Sequence, residues 1–85
     1  MKHAGPAALD ALDDLLGKLR ARPALQERSR GCFYAKSSGF LHFHEDPAGL
    51  FADLKIDGDF VRLRVSTAGE RAALLREVEK VLKSA

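Results

Sequence analysis

The sequence predicts an α+β domain, a two-layer sandwich in which two helices cover one face of a four-stranded antiparallel sheet. Leucines recur at three- and four-residue steps near both ends of the chain, as on one side of a helix. Between Arg30 and Val65 the pattern changes to a two-residue alternation, which is typical of strands. Each predicted helix has one apolar stripe to bury, so both helices are expected on the same face of the sheet.

The first helix is predicted from Pro6 to about Ala21. Proline suits the first turn of a helix, where no amide donor is needed, and Pro23 ends the segment because the residue before a proline avoids the helical region. The apolar stripe consists of Leu9, Leu12, Leu16 and Leu19. The connector ALQERS has no predicted structure, and residues 1–5 of the single domain 1–85 are expected to be disordered.

Four strands are predicted to follow, joined in the order of the chain by short loops. The loops are SSG, DPAG and the Asp57-Gly58 pair, which is a strong two-residue hairpin signal. Loops this short require antiparallel neighbours, so the sheet is a meander. The strands are Arg30–Lys36, Phe40–Glu45, Leu50–Ile56 and Phe60–Val65.

The loop lengths also set the pairing of residues across the sheet. The last two loops place Leu54 opposite both Leu41 and Val61 on the side of the helices. Asp53 then lies opposite both His42 and Arg62 on the other side. For the first strand, the SSG loop predicts Phe33 opposite Phe43 and Ala35 opposite Leu41, a register that a β-bulge would shift.

The second helix is predicted to begin near Thr67. Thr67 stands three residues before Glu70, which is the spacing of a capping box. Its apolar stripe consists of Leu74, Leu75, Val78, Val81 and Leu82.

The sheet face opposite the helices, called the open face below, has nothing in the predicted fold to cover it. It combines aromatic rings with basic side chains, and its charge is +3 (four Lys and Arg against one Asp), although the whole chain carries only +2. The predicted binding face consists of Tyr34, Lys36, Phe40, His42, His44, Phe51, Asp53, Lys55, Phe60, Arg62 and Arg64.

Bulk composition narrows the class of protein. The single cysteine, Cys32, excludes an internal disulfide. The N-terminal segment resembles neither a signal peptide nor a membrane span, so we expect a cytoplasmic protein, bacterial in composition, that does not act at a membrane. A net charge of +2 is low for a dedicated nucleic-acid-binding protein.

A metal or catalytic site around the two histidines is the weaker interpretation of this face. Zinc needs three or four converging ligands, and outward rings on a flat sheet do not readily converge, even with Cys32 and Asp53 as predicted neighbours. For catalysis, a predicted row of Tyr34, His42, Asp53 and Arg62 offers acid–base groups, and Cys32 beside His44 offers a nucleophile pair. A flat sheet lacks a reaction pocket. We therefore assign no metal, no cofactor and no catalytic residue.

Binding is the stronger interpretation. Exposed aromatic rings beside arginine are typical of protein interfaces, so we expect a homodimer, or a protein partner docked on the open face. The alternative is that the aromatic rings stack on the bases of a nucleic acid while the lysines and arginines hold its phosphates, or that another anionic ligand binds there.

The segment from Phe33 to Thr67 resembles small, functionally uncharacterised bacterial proteins that share an FLHFHED…LFADLK core. This resemblance implies no named activity and no catalytic residue. The order of helix, antiparallel sheet and helix is also similar to that of frataxin-like and YjbR-like domains, which is a likeness of fold and implies no function. The acidic iron-binding ridge of frataxins is not evident here.

Overall fold

The computed structural model describes residues 1–84, which form an α+β fold with a six-stranded antiparallel sheet and three helices. Helical residues precede most of the sheet and a further helix follows it, which confirms the predicted order of helix, antiparallel sheet and helix, although the first predicted helix is divided in two. The elements in chain order are β1 (Lys2–His3), α1 (Pro6–Ala11), α2 (Asp13–Arg20), β2 (Gln26–Ser29), β3 (Cys32–Ala35), β4 (Ser38–Asp46), β5 (Gly49–Ile56), β6 (Asp59–Arg64) and α3 (Ala68–Ser84).

The helices pack on one face of the sheet, which confirms the predicted two-layer arrangement. One continuous core contains leucines from α1 and α2, residues from α3 and alternate residues of the central strands. Burying these side chains supplies most of the driving force for folding, at about 25 cal/mol per Å² of apolar surface. Among its most deeply buried members are Leu12, Leu16, Leu19, Phe33, Leu41, Leu54, Val65, Leu74 and Val78.

The registers of β4, β5 and β6 are the ones predicted from their loops. Leu54 lies opposite Leu41 of β4 and Val61 of β6, and Asp53 lies opposite His42 and Arg62. The hairpin turn is tight because Asp57 takes a positive φ of 52° beside Gly58 at 88°. This part of the sheet places Asp53 between His42 and Arg62.

The predicted first strand, Arg30–Lys36, is wrong in its bounds. The strand in this region is β3, Cys32–Ala35, and it forms a hairpin with β2, because Gly31 adopts a φ of 80° that lets the chain reverse at Arg30-Gly31. The connector ALQERS, for which no structure was predicted, therefore contains the whole of β2. The next turn is also shorter than predicted, since Lys36 and Ser37 both take positive φ values and allow Ala35 to pair with Ser38.

The predicted register between β3 and β4 is wrong for the same region, and it misplaces Phe40. Phe33 lies opposite Leu41, and Tyr34 lies opposite Gly39, so Phe40 is an extra residue of β4 in a β-bulge. The bulge turns its ring to the side of the helices, where it is only 6% exposed and belongs to the core. Phe40 is therefore not part of the open face.

The N-terminal residues form a strand, although residues 1–5 were expected to be disordered. In β1, Lys2 lies opposite Glu45 and His3 opposite His44 of β4. The following backbone is held as well, because the Gly5 amide donates to Glu45 Oε2 at 2.6 Å.

The helices depart from the prediction in one detail. Leu12, at φ −96° and ψ 9°, separates α1 from α2 where one continuous helix was predicted. At the start of α3 the capping box is present: the Glu70 amide donates to Thr67 Oγ1 at 3.2 Å, and the Thr67 amide donates to Glu70 Oε1 at 2.9 Å. Within residues 1–84, no helix is both long and apolar enough to cross a membrane.

Candidate functional site on the open sheet face

Most of the predicted binding face is brought together by β4, β5 and β6. The alternating residues of these strands point away from the helices, and the confirmed registers place them in adjacent rows. The residues that share this surface are His42, His44, Phe51, Asp53, Lys55, Phe60, Arg62 and Arg64. Phe40 lies in the core, and Lys36 lies in the exposed turn between β3 and β4. Tyr34, on β3, lies under Arg28, whose guanidinium carbon is 4.2 Å from the ring centroid.

Asp53 is the centre of this surface. It is only 8% exposed, and it accepts two hydrogen bonds from Arg62, from Nε to Oδ1 at 2.8 Å and from Nη2 to Oδ2 at 2.9 Å. The two side chains meet because their residues are direct cross-strand neighbours. This bidentate pair holds the carboxylate in one orientation.

Two histidines approach the same carboxylate oxygen of Asp53. The Nε2 atom of His44 lies 3.1 Å from Oδ2, and the Nε2 atom of His42 lies 3.5 Å from it. His42 is the direct neighbour of Asp53 across the sheet, and His44 is its diagonal neighbour. One carboxylate therefore lies close to both rings. His42, His44 and Asp53 each offer one possible ligand atom, and these three atoms lie within 4.8 Å of one another.

The His44 ring is buried without a hydrogen-bond partner. The residue is 8% exposed, and neither Nδ1 nor Nε2 makes a hydrogen bond within the described part of the chain. Although Nε2 is close to Asp53 Oδ2, the two atoms are not aligned as donor and acceptor. A buried polar group left in this state costs about 1–3 kcal/mol, so the ring calls for a functional explanation.

The surroundings shift the pKa values of two members of the cluster. The hydrogen bonds from Arg62 hold the pKa of the Asp53 carboxyl below its usual range, against the opposing effect of burial. Burial lowers the pKa of His42 and outweighs the attraction of Asp53, which acts in the opposite direction. The cluster therefore combines an ionised carboxylate with a His42 ring that favours the neutral form.

His3 is a member of this cluster that the sequence analysis missed. Its ring stacks on His44 with the centroids 4.7 Å apart and lies 5.8 Å from His42. Phe60 contacts His42 edge-on, at 4.9 Å between centroids. No local pattern could have placed His3 here, because its strand partner is about forty residues away.

The catalytic arrangements considered from the sequence are not assembled. Tyr34 lies opposite Gly39 and not opposite His42, so the predicted acid–base row lacks its first member. The β4 partner expected for Cys32 was His44, which instead lies opposite His3 of β1.

The rim of the open face is formed by β6, the last strand of the sheet. Phe60 is 45% exposed on this face, and Val61 is 40% exposed on the opposite side of the strand. No other strand of residues 1–84 pairs with the outer edge of β6. Cations lie over the aromatic rings here: Lys55 Nζ is 5.4 Å from the Phe60 centroid, and Arg64 Cζ is 5.8 Å from that of Phe51.

Comparison with known proteins finds no matching family model, no matching curated protein and no matching solved structure.

Proposed function

We propose that this protein is a small assembly module of the bacterial cytoplasm that forms a homodimer through β6. The observation that carries the proposal is the exposure of Phe60 and Val61, at 45% and 40%, on a strand whose outer edge has no partner among residues 1–84. An unpaired edge strand with exposed apolar side chains is a template for pairing with another chain.

The backbone of β6 supports pairing with a second copy. Hydrogen-bonded pairs alternate along an antiparallel ladder, and the Val65 amide donates to the Leu50 carbonyl at 2.8 Å. By this alternation the backbone groups of Phe60, Arg62 and Arg64 face outward, away from β5. These donors and acceptors are available to a second strand.

The side chains of β6 are compatible with a two-fold arrangement centred on Arg62. In that pairing Phe60 of one copy would lie opposite Arg64 of the second copy, and Val61 opposite Leu63. The first contact is a cation–π pair and the second is apolar. The two Arg62 side chains would meet near the axis, where the bidentate contact of each with its own Asp53 offsets their repulsion.

The size of a stable interface indicates that more than the strand edge takes part. A standard interface takes about 800 Å² from each partner, which is roughly a sixth of the 4974 Å² of accessible surface of this chain. One strand edge of six residues is too small for that. The side chains that flank this edge on both sides of β6, Phe60 and Val61 among them, would supply the rest.

Nucleic-acid or anion binding on the same face has less support. Two of the basic residues that would hold phosphates have carboxylate partners already: Arg62 binds Asp53, and Arg64 Nε lies 3.5 Å from Glu70 Oε2. Phe40, which would have belonged to the stacking platform, lies in the core.

Sedimentation equilibrium across micromolar to near-millimolar concentrations tests the dimer. We expect the native chain to dimerise, and Val61→Lys to shift it to monomer because two like charges then meet close to the two-fold axis. The matched control is Ala72→Lys, which adds the same charge at an exposed position of α3 and should leave the dimer intact.

A native chain that stays monomeric throughout this range, or a Val61→Lys variant that dimerises like the control, would overturn the dimer. Salt-sensitive retention of a monomer on single-stranded nucleic acid, lost in an Arg62→Ala/Arg64→Ala variant, would favour the alternative instead.

A further inference from the structure

The geometry points to a metal-binding site for a divalent transition ion of the zinc class, formed by His42, His44 and Asp53 on the open face. All three ligands belong to one chain, so the site does not require a second copy. Imidazole and carboxylate are the donor types that zinc and its first-row neighbours accept in proteins. Three protein ligands would leave a position for water or for a small ligand.

The separations of the donor atoms fit a shared ion. Around zinc, with bonds of about 2.0–2.1 Å, two tetrahedral ligand atoms stand about 3.3–3.4 Å apart. Asp53 Oδ2 lies 3.1 Å from His44 Nε2 and 3.5 Å from His42 Nε2. All three residues offer donors within 4.8 Å of one another, so rotation of the imidazole rings would bring the three atoms to bonding distance of one ion.

The buried His44 ring is the second observation. Both of its nitrogens lack a hydrogen-bond partner in residues 1–84, and the residue is 8% exposed. Its Nε2 is near the Asp53 oxygen without being aligned to it. Two ligands of one ion have this relationship, because the lone pair of each is directed at the ion and not at the other ligand. Coordination through Nε2 would give one of these buried nitrogens a partner.

The neighbouring groups would act as supports for a bound ion. Arg62 fixes the Asp53 carboxylate by two hydrogen bonds, and such outer contacts orient metal ligands in proteins. Oδ2 carries more than one lone pair, so it can accept from Arg62 and still bind the ion. The rings of His3 and Phe60 flank the histidines at 4.7 and 4.9 Å and restrict access by solvent.

The expectation that outward rings on a sheet diverge fails here for a specific reason. The rings of His42 and His44 lie edge to face, with their centroids 4.9 Å apart, and a third residue supplies the atom that both approach. Asp53 stands on the adjacent strand, opposite His42 and diagonal to His44, and it brings a shared oxygen between them.

The test uses the full chain without a histidine tag, treated with a chelator and then titrated with zinc against a chromophoric competitor. We expect one zinc per chain and a rise in the thermal unfolding midpoint with zinc concentration, because an ion that binds the folded state stabilises it. His42→Ala and His44→Ala should each weaken zinc binding by more than about tenfold. His42 is the more exposed of the two, so its variant stays informative if the other unfolds.

Two matched variants identify the site. Cys32→Ser should bind zinc within a few-fold of the native chain, and so should the dimer-interface variant Val61→Lys. Cobalt, used as a spectroscopic probe, should give the intense visible absorption of a tetrahedral ion. Substoichiometric zinc, equal binding by a folded His42→Ala variant, or loss of binding in Cys32→Ser would each overturn the inference.

Discussion

Arg62 donates two parallel hydrogen bonds to Asp53, from Nε to Oδ1 at 2.8 Å and from Nη2 to Oδ2 at 2.9 Å. The carboxylate is almost fully buried, whereas the arginine side chain is 47% exposed. The pair therefore joins two neighbouring strands and also keeps a buried charge neutralised. Loss of the arginine would leave that charge without its main partner.

Arg62→Ala should therefore lower the midpoint of thermal unfolding at neutral pH, and Arg62→Lys should rescue it only in part, because lysine cannot form the bidentate contact. The control is Arg64→Ala, whose guanidinium is farther from its carboxylate partner, at 3.5 Å from Glu70. Circular dichroism melts measure all three. Equal losses for Arg62→Ala and Arg64→Ala would contradict the structural role given to the Asp53 pair.

Phe40→Ala should destabilise the fold by about 3–5 kcal/mol, the usual cost of removing a buried phenylalanine ring. Phe60→Ala removes the same ring from an exposed site and should cost about 1 kcal/mol or less in dilute solution. Urea unfolding of the two variants separates the core position from the surface position. Near-equal small losses would place Phe40 back on the open face.

Thr67→Ala should cost about 1 kcal/mol, because it removes the acceptor for the Glu70 amide at the start of α3. Thr67→Ser keeps a hydroxyl group at the same position and should retain most of the stability. The measurement is the free energy of unfolding in urea. An alanine variant as stable as the serine variant would show that this cap contributes nothing.

Gly31→Ala should destabilise the protein by more than about 1 kcal/mol. The position has a φ of 80°, and an added Cβ would lie 2.7 Å from Leu9 Cδ2 in the core. The contrasting variant is Gly17→Ala in α2, where an added Cβ meets no atom within 4 Å. There we expect a gain of up to about 1 kcal/mol from helix propensity. Urea unfolding should therefore show a lower free energy of unfolding for Gly31→Ala and a higher one for Gly17→Ala.

The ion pair between Arg20 and Glu27 should make stability depend on pH in the acid range. Hydrogen bonding from Arg20 lowers the pKa of Glu27 in the folded state. Its contribution is therefore complete above the unfolded pKa of about 4.3 and is lost as the pH falls through the lower folded-state value. A double-mutant cycle with Arg20→Gln and Glu27→Gln measures the coupling energy, which should decline on acidification. A coupling that is constant with pH would argue against the ion pair.

The parts of the fold that the sequence predicts correctly are those in which local chemistry leaves one choice. Asp57-Gly58 fixes a two-residue turn, and the apolar pairs made by Leu54 with its neighbours agree with it. Thr67 and Glu70 likewise fix the start of α3. At these places turn or cap chemistry and the hydrophobic pattern give the same answer.

The errors arise where the outcome depends on tertiary contacts or on unusual backbone angles. Lys36 and Ser37 are not typical residues for positive φ, so their tight turn and the bulge at Phe40 carry no strong sequence signal. Leu12 fits the helical stripe and still interrupts the helix.

The candidate site could be predicted only in part, for a similar reason. The rows of β4, β5 and β6 follow from loop length, so Asp53 is correctly expected beside His42 and Arg62. The convergence of His44 on the same oxygen depends on side-chain rotation, which a pattern of residues does not encode. His3 joins the cluster through a pairing too distant in sequence to be read locally.

The order of the strands has a consequence for the folding pathway. From β2 to β6 every strand lies beside its neighbour in the chain, so this part of the sheet can grow by successive hairpins with little loop-closure entropy at each step. The pairing of β1 with β4 is different, because the contact from Gly5 to Glu45 spans forty residues. We expect β1 to dock late, on a sheet that has already formed. The His3 ring, which β1 carries, then joins His42 and His44 only at the end of folding.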